Sequence, residues 1–258
     1  MNYKLLADTA MLAGEILLCS GAETYRVEDT MYHILKASNI DSMEAMALMT
    51  GLIVTINDEK FEQPISVIRR VHSRNTNISN IVNVNAISRK YCNGTITLEE
   101  AYERLKRAKE RPYSRVFYNI ATIGMVTGFA AMFGGSGLEL LVAALTGALL
   151  AAFITFSKTV KLNGIFTNAL SGLLIAIFVT LLHAFLFRGI AKDIIIISAL
   201  MPIVPGVSIT NAIRDTLQGD YLSGCARILE ALLIAAAIAV GVGLGVILCG
   251  MMLGGGAL

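Results

Sequence analysis

The sequence lacks tryptophan, and only four of its 258 residues are proline and four are cysteine. The cysteines show no metal or redox spacing, so we interpret them as free thiols. They are Cys19, Cys92, Cys225 and Cys249. His33 and His72 form no metal-ligand pattern, and no P-loop, dinucleotide fingerprint or nucleophile motif occurs. These absences argue against a metalloprotein or a nucleotide-binding enzyme, and we expect no cofactor and no nucleic-acid partner.

Charged residues are also scarce, at 16% of the sequence, and most of them lie before residue 113. Hydrophobic residues reach 55%, which is high for a soluble domain. We therefore predict a polar N-terminal domain, residues 1–112, followed by a membrane domain, residues 113–258. No signal-peptide pattern is visible at the N-terminus, and the net charge of +2 points to no particular partner.

The spacing of apolar residues predicts an α+β fold for the N-terminal domain. Helices are predicted over residues 3–20, 23–37, 78–91 and 98–111. Three short apolar runs between them, residues 43–50, 52–57 and 65–71, suit strands. Gly21 fits the C-terminal cap of the first helix.

Five apolar segments in the membrane domain approach the ~20 residues that are needed to cross a bilayer. They cover residues 116–133, 138–157, 165–187, 194–213 and 228–253. We therefore predict an all-α domain of five transmembrane helices in the cell (inner) membrane. Basic residues before the first segment, after the second and after the fourth place the N-terminal domain in the cytoplasm and the C-terminus outside.

The fourth apolar segment is interrupted in its middle. The interruption contains Pro202, Pro205 and Gly206, and the polar residues Ser208, Thr210 and Asn211 follow it. Proline breaks helical hydrogen bonds, and the freed carbonyl groups find no water in hydrocarbon. Broken helices of this kind build the substrate sites of secondary transporters. The alternative is a proline kink that only shapes helix packing.

Carboxylates and an arginine crowd the start of the second predicted helix. Glu23, Arg26 and Glu28 suit a ligand or coupling site. A simpler explanation is that acidic residues stabilise the helix start through its dipole, and that Arg26 pairs with a neighbouring carboxylate. Near the membrane, Glu230 is a functional candidate as an ionisable residue, but it could simply pair with Arg227.

The last apolar segment carries a glycine stripe. Gly241 and Gly245 form a G-x-x-x-G pattern, which is typical of close helix contacts in membranes. The contact could lie within the chain or with a partner.

Two motifs together resemble the threonine/serine exporter (ThrE-type) family. They are SGAETYRVEDTM, residues 20–31, and MPIVPGVSITNAIRDTLQGDYLSGCARILEAL, residues 201–232. The resemblance covers nearly the whole chain. It implies that full-length members have a soluble domain and about twice as many spans as the five predicted here. This chain therefore resembles a split form whose other half is a second small membrane protein.

The resemblance implies a subunit of a secondary-active exporter of small polar metabolites, either threonine/serine-type amino acids or a dicarboxylate such as succinate. No ATP-binding motif is present, which favours a gradient-driven mechanism. Expected partners are the lipid bilayer, the second subunit, further copies in an oligomer and the small-molecule substrate. The alternatives are a regulatory or assembly subunit of such an exporter, and a membrane-anchored hydrolase using residues 23–29.

On this interpretation the candidate residues fall into two sets. The substrate-binding set is Pro202, Pro205, Gly206, Ser208, Thr210 and Asn211. The coupling or gating set is Asp215, Glu230, Glu23, Arg26 and Glu28. Backbone donors after Pro205 could meet a substrate carboxylate, and Asp215 or Glu230 could bind its ammonium group or carry a proton.

Overall fold

The structure, a computed structural model, describes residues 2–38, 40, 42–58, 62–108 and 113–253. It divides into two compact units. The N-terminal unit contains Met1–Pro112 together with Gly206–Leu229, and the helical unit contains Tyr113–Pro205 together with Glu230–Leu258. Residues 206–229 thus group with the N-terminal domain, whereas the sequence placed them in the membrane domain.

The described residues are mostly helical, with one small sheet. In chain order the elements are α1 (Tyr3–Cys19), α2 (Thr24–Lys36), β1 (Ser42–Leu48), β2 (Gly51–Asn57), β3 (Ile65–Arg70), α3 (Ile78–Cys92), α4 (Leu98–Ala108), α5 (Arg115–Met132), α6 (Gly137–Val160), α7 (Gly164–Phe185), α8 (Lys192–Leu200), α9 (Gly206–Leu217) and α10 (Tyr221–Met252). The predicted α+β character of the N-terminal domain is confirmed. The end predicted for the fourth helix, residue 111, lies outside the described residues.

The sheet is antiparallel, in the order β1-β2-β3. Alternation along β2 turns Leu52, Val54 and Ile56 inward, where all three are fully buried. They join a core that includes Leu17 of α1 and Met31 of α2. This core fixes the ends of α1 and α2 against the sheet.

The turn between α1 and α2 depends on a glycine. Gly21 has a φ of 82°, a left-handed conformation that favours glycine at a helix C-terminus. The predicted cap is therefore confirmed. The backbone then reverses, and α2 begins at Thr24.

The helical unit holds long apolar helices. Within the described residues, α6, α7 and α10 are long and apolar enough to cross a membrane. The helix α5 and the pair α8 and α9 do not meet that measure, so a five-helix membrane domain is not confirmed. Between α5 and α6, Thr155 donates a hydrogen bond of 3.0 Å to Asn119 Oδ1, so this polar pair joins helices.

The glycine stripe of α10 packs within the chain. A Cβ atom at Gly241 would collide with the α7 backbone at Ala169, and one at Gly245 would lie 2.9 Å from the carbonyl oxygen of Leu173. At Gly243, by contrast, an added Cβ would meet no atom within 4 Å. Of the two uses expected for the G-x-x-x-G pattern, the structure shows the internal one.

The interrupted segment is two short helices. Helix α8 ends at Leu200 and α9 begins at Gly206, so the chain leaves the helical conformation where Pro202 and Pro205 lie. The two helices have 9 and 12 residues, and each is too short to cross a bilayer alone.

Candidate functional site

The loop between α1 and α2 is held by side chains that come from about 190 positions later in the chain. Its residues Gly21, Ala22 and Glu23, together with Thr24 at the start of α2, each bind a polar side chain of α9 or α10. Those side chains are Asn211, Arg227, Arg214 and Asp215 respectively. The loop belongs to one of the two motifs that carry the family resemblance, and the four side chains belong to the other. We call this assembly the polar clasp.

Asp215 caps the start of helix α2. Its Oδ1 accepts the backbone N–H of Thr24 at 3.0 Å, and its Oδ2 accepts the Thr24 hydroxyl at 3.1 Å. The first N–H groups of a helix have no partner inside it, and Glu23, at the cap position, makes no side-chain cap bond. A fully buried carboxylate therefore replaces the usual local cap.

Arg227 supplies the balancing positive charge. Its Nη2 donates to the carbonyl oxygen of Ala22 at 2.8 Å, and its Nε lies 2.8 Å from Asp215 Oδ2. This second contact is an ion pair in which the N–H direction is not aligned for a hydrogen bond. Arg227 is only 4% exposed. A buried ion pair of this kind is stable only when both charged groups are present and their remaining hydrogen bonds are made.

Burial destabilises the charged form of Asp215. It raises the pKa of this carboxyl, while the Thr24 donors and the Arg227 charge act in the opposite direction. The carboxylate therefore depends on Thr24 and Arg227 to remain charged.

Arg214 and Glu23 form the outer part of the clasp. The Arg214 guanidinium hydrogen-bonds to and ion-pairs with Glu23, and Arg26 Nη1 lies 3.8 Å from the same carboxylate. Burial acts to raise the pKa of Glu23. Hydrogen bonds from its backbone and from Arg214, with the charges of both arginines, outweigh burial and lower that pKa. Glu23 therefore stays ionised, and Arg26 does pair along the helix as the simpler explanation expected.

Glu28 is directed towards the sheet. Its Oε1 accepts the backbone N–H of Ala47 at 2.8 Å. Ala47 lies on β1, an edge strand, so Glu28 satisfies an edge donor. Burial and nearby carboxylates raise the pKa of Glu28, in spite of this hydrogen bond.

Helix α9 presents its polar side inward. Asn211 and Asp215, one turn apart, are buried, and Asn211 donates to the Gly21 carbonyl oxygen at 2.7 Å. Ile213 and Leu217 are 52% and 79% exposed. Thr210 and Arg214 are exposed as well, so the outward side of α9 mixes apolar and polar residues.

The predicted substrate residues are only partly brought together. Asn211 is buried in the clasp, whereas Thr210 is exposed and its hydroxyl bonds back to the Gly206 carbonyl oxygen. Ser208 is half-buried. Within the helical unit, Pro205 lines an apolar groove of about 450 Å³, which offers no polar partner to a charged substrate. Pro202 and Glu230 are half-buried, and the structure places neither in the clasp.

Sequence reasoning missed three polar side chains of the clasp. Thr24, Arg214 and Arg227 were not assigned a functional role, although all three lie inside the resemblance motifs. An arginine at the start of an apolar span was the available signal for Arg227.

Comparisons with known proteins agree with these motifs. The family model described as "Putative threonine/serine exporter" (ThrE) matches residues 8–249. The chain is 22% identical over 244 residues to the "Probable threonine/serine exporter" of Mycobacterium tuberculosis. It is 25% identical over 246 residues to the "Threonine/serine exporter" of Corynebacterium glutamicum. No solved structure matches the chain.

The coverage of these matches is unequal. The alignments cover 94% and 93% of this chain, but 46% and 50% of the two relatives. The chain therefore spans about half the length of the curated relatives it matches.

Proposed function

The chain belongs to the threonine/serine exporter family, and we propose that it is a subunit of a secondary-active exporter of small polar amino acids of the threonine/serine type. Members of this family are transporters and not enzymes, so the membrane-anchored hydrolase is set aside. Family membership and three long apolar helices support a location in the membrane.

The polar clasp is the observation that carries this proposal. The family match includes both halves of the clasp, residues 21–24 and residues 211–227. These halves are distant in sequence and yet form one buried, charge-paired contact. An N-terminal domain that is bound to α9, the helix after the interruption, is suited to transmitting a conformational change to that helix.

Gating and coupling are proposed for the clasp and its surroundings. Asp215, Glu23 and Arg26 are supported by their shared ion pairs, and Glu28 by its link between α2 and β1. Glu230 is retained because it is an ionisable residue on the long apolar helix α10.

The substrate path is proposed to follow the interruption before α9. The first N–H groups of α9 have no partner inside the helix, and such groups bind carboxylates well. Gly206 would admit a close approach, because an added Cβ meets nothing within 4 Å. The proposed lining is Pro202, Pro205, Gly206, Ser208, Thr210 and Asn211.

A second membrane subunit is part of the proposal. The chain matches only about half the length of its curated relatives, which supports a complex with a further set of helices. We also propose five spans in this chain, with the N-terminal domain cytoplasmic. The apolar sequence of α5 and of α8 with α9, and the basic residues between the segments, support that arrangement.

Reconstituted vesicles test the proposed function. Vesicles would carry this chain, the candidate second subunit, or both, and would be loaded with labelled threonine, serine or succinate. We expect efflux of threonine and serine, dependent on an ion gradient, when both proteins are present. Equal efflux with the second subunit alone would make this chain a regulatory or assembly subunit. Absence of efflux in every combination would refute the exporter, and efflux of succinate alone would refute its proposed substrate.

A further inference from the structure

Carboxylates from three elements converge beside the polar clasp. They are Glu28 of α2, Asp215 of α9 and Asp220, which precedes α10. Glu28 lies one turn after Thr24 on the same side of α2, and Thr24 hydrogen-bonds to Asp215. Asp220 donates its backbone N–H to the Asp215 carbonyl oxygen at 2.9 Å, and its Oδ1 accepts the Ser223 N–H at 3.1 Å. The negative charges of Asp215 and Asp220 both act on Glu28. We call Glu28, Asp215 and Asp220 the acidic cluster.

Three nearby arginines pair with carboxylates other than Glu28 and Asp220. Arg227 pairs with Asp215, while Arg214 and Arg26 pair with Glu23, which lies outside the cluster. Among the described residues, the charged groups that act on Glu28 are Asp220, Asp215 and Glu44, the last from β1. All three are negative, so ionised Glu28 is repelled from two sides of α2.

Two buried oxygen atoms in the same place lack a hydrogen-bond partner. They are Asp220 Oδ2 and Ser223 Oγ, where Ser223 is only 1% exposed. A buried polar atom without a partner is costly. Surplus negative charge and unpartnered oxygen atoms together fit a small positive ligand.

We propose that the acidic cluster is a proton-binding site, in which Glu28 takes up the proton and so controls how firmly α2 holds to α9 and α10. The proposal rests on the proposed function only in that it names the regulation of the same site. A proton taken from water converts the Glu28 carboxylate to a neutral carboxyl. Repulsion by Asp215 and Asp220 then ends, while the carboxyl can still accept the Ala47 N–H.

The direction of the pH effect follows from the raised pKa of Glu28. A group whose pKa is raised in the docked state binds its proton more tightly there than in the undocked state. The docked state is therefore favoured most below the ordinary pKa of 4.5 for Glu28, and the benefit is lost as the pH rises through the raised value. Glu23 has the opposite effect, because its lowered pKa means that its ionised form favours the docked state. That contribution is lost only as the pH falls below 4.5.

Amide hydrogen exchange tests the proposal on the full chain in lipid nanodiscs at constant sodium concentration. The Thr24 amide reports docking, because it donates to Asp215, and the Val54 amide serves as a core reference. After correction for intrinsic exchange, we expect Thr24 protection to fall about tenfold from about pH 5 to about pH 8. The Glu28→Gln variant should keep its acid-side protection across most of this range. Glu103→Gln, an exposed carboxylate on α4, should behave as the wild type.

Several results would overturn the proton site. They are pH-independent protection in the wild type, an unchanged pH dependence in Glu28→Gln, or protection that follows sodium concentration and not pH. If Glu28→Gln fails to fold, Asp220→Asn replaces it and should show a weaker pH dependence. Exchange needs no transport, so a failure of the exporter in vesicles would be recognised separately.

Discussion

At the scale of single residues, Arg227 combines a positive charge with almost complete burial. It serves both Asp215 and the Ala22 carbonyl oxygen. Removing one partner of a buried ion pair costs about 3–5 kcal/mol, because the other charge is left unpaired. We expect Arg227→Ala to lower the free energy of unfolding by an amount of this order, measured by thermal unfolding in detergent.

Arg214 provides the matched control for that prediction. It also pairs with the loop, through Glu23, but its side chain is 56% exposed. The Arg214 charge is largely solvated, and Glu23 keeps Arg26 as a second partner when Arg214 is removed, so Arg214→Ala should cost less than Arg227→Ala. Equal losses in the two variants would contradict the account of the buried pair.

Sequence reasoning identified residues of the clasp but not their partners. Glu23, Asn211 and Asp215 were all named as candidates. Thr24 and Asp215 are 191 positions apart, and local patterns relate only residues within a turn or two. For Arg227, the sequence suggested only a near neighbour, Glu230, as a possible partner, and its contacts in the structure include the distant Asp215 and Ala22.

At the scale of elements, the packing of α7 against α10 depends on glycine. A side chain at Gly241 or Gly245 would meet the α7 backbone, which cannot move aside as a flexible side chain can. We expect Gly241→Leu and Gly245→Leu to lower the unfolding temperature clearly. Gly243→Leu, on the same helix but facing open space, should leave it nearly unchanged. If all three variants behave alike, this stripe does not hold the two helices together.

In the interruption before α9, a single substitution can test transport without disturbing the packing of the helices. Because Gly206 is surrounded by open space, Gly206→Leu should fold and insert normally. We expect it to lose most threonine efflux, since the side chain would obstruct the proposed substrate path. Gly128→Leu gives the same substitution at another open glycine, on α5, and should retain efflux. Full transport by Gly206→Leu would leave the interruption with a packing role only.

Helix positions could be predicted from the sequence better than helix environments. Periodicity located α1, α2 and α3 to within a few residues, because their apolar faces meet a core. Helix α9 was taken as the second half of a span. Its buried side is polar, and the partners of that side lie in a loop near the N-terminus. A hydropathy pattern records composition and not which side is buried.

At the scale of the whole molecule, orientation is the property that the basic residues predict. Short loops that are rich in basic residues remain on the cytoplasmic side of the membrane. Met1 should therefore lie inside the cell and Leu258 outside it if there are five spans. Reporter fusions at the two termini should therefore report opposite sides of the membrane. Reports from the same side would require an even number of crossings.

The division into a polar and an apolar half was accessible from composition alone. The grouping of residues 206–229 with the N-terminal unit was not, because it depends on contacts between distant segments. Those contacts give the molecule its central feature, an N-terminal domain bound to α9, the helix that follows the interruption.

A double-mutant cycle across the clasp tests that feature most directly. Thr24→Val and Asp215→Asn each weaken the contact between Thr24 and Asp215, and threonine efflux from vesicles would be measured for each variant and for both together. We expect each single change to slow efflux by about fivefold or more, equivalent to about 1 kcal/mol. Asp215→Asn also weakens the ion pair with Arg227, so it should be the slower of the two single variants. Because the Thr24 hydroxyl acts through Asp215, the double variant should be no slower than Asp215→Asn alone. Wild-type efflux in all variants, or losses that multiply in the double variant, would contradict the central role of the clasp.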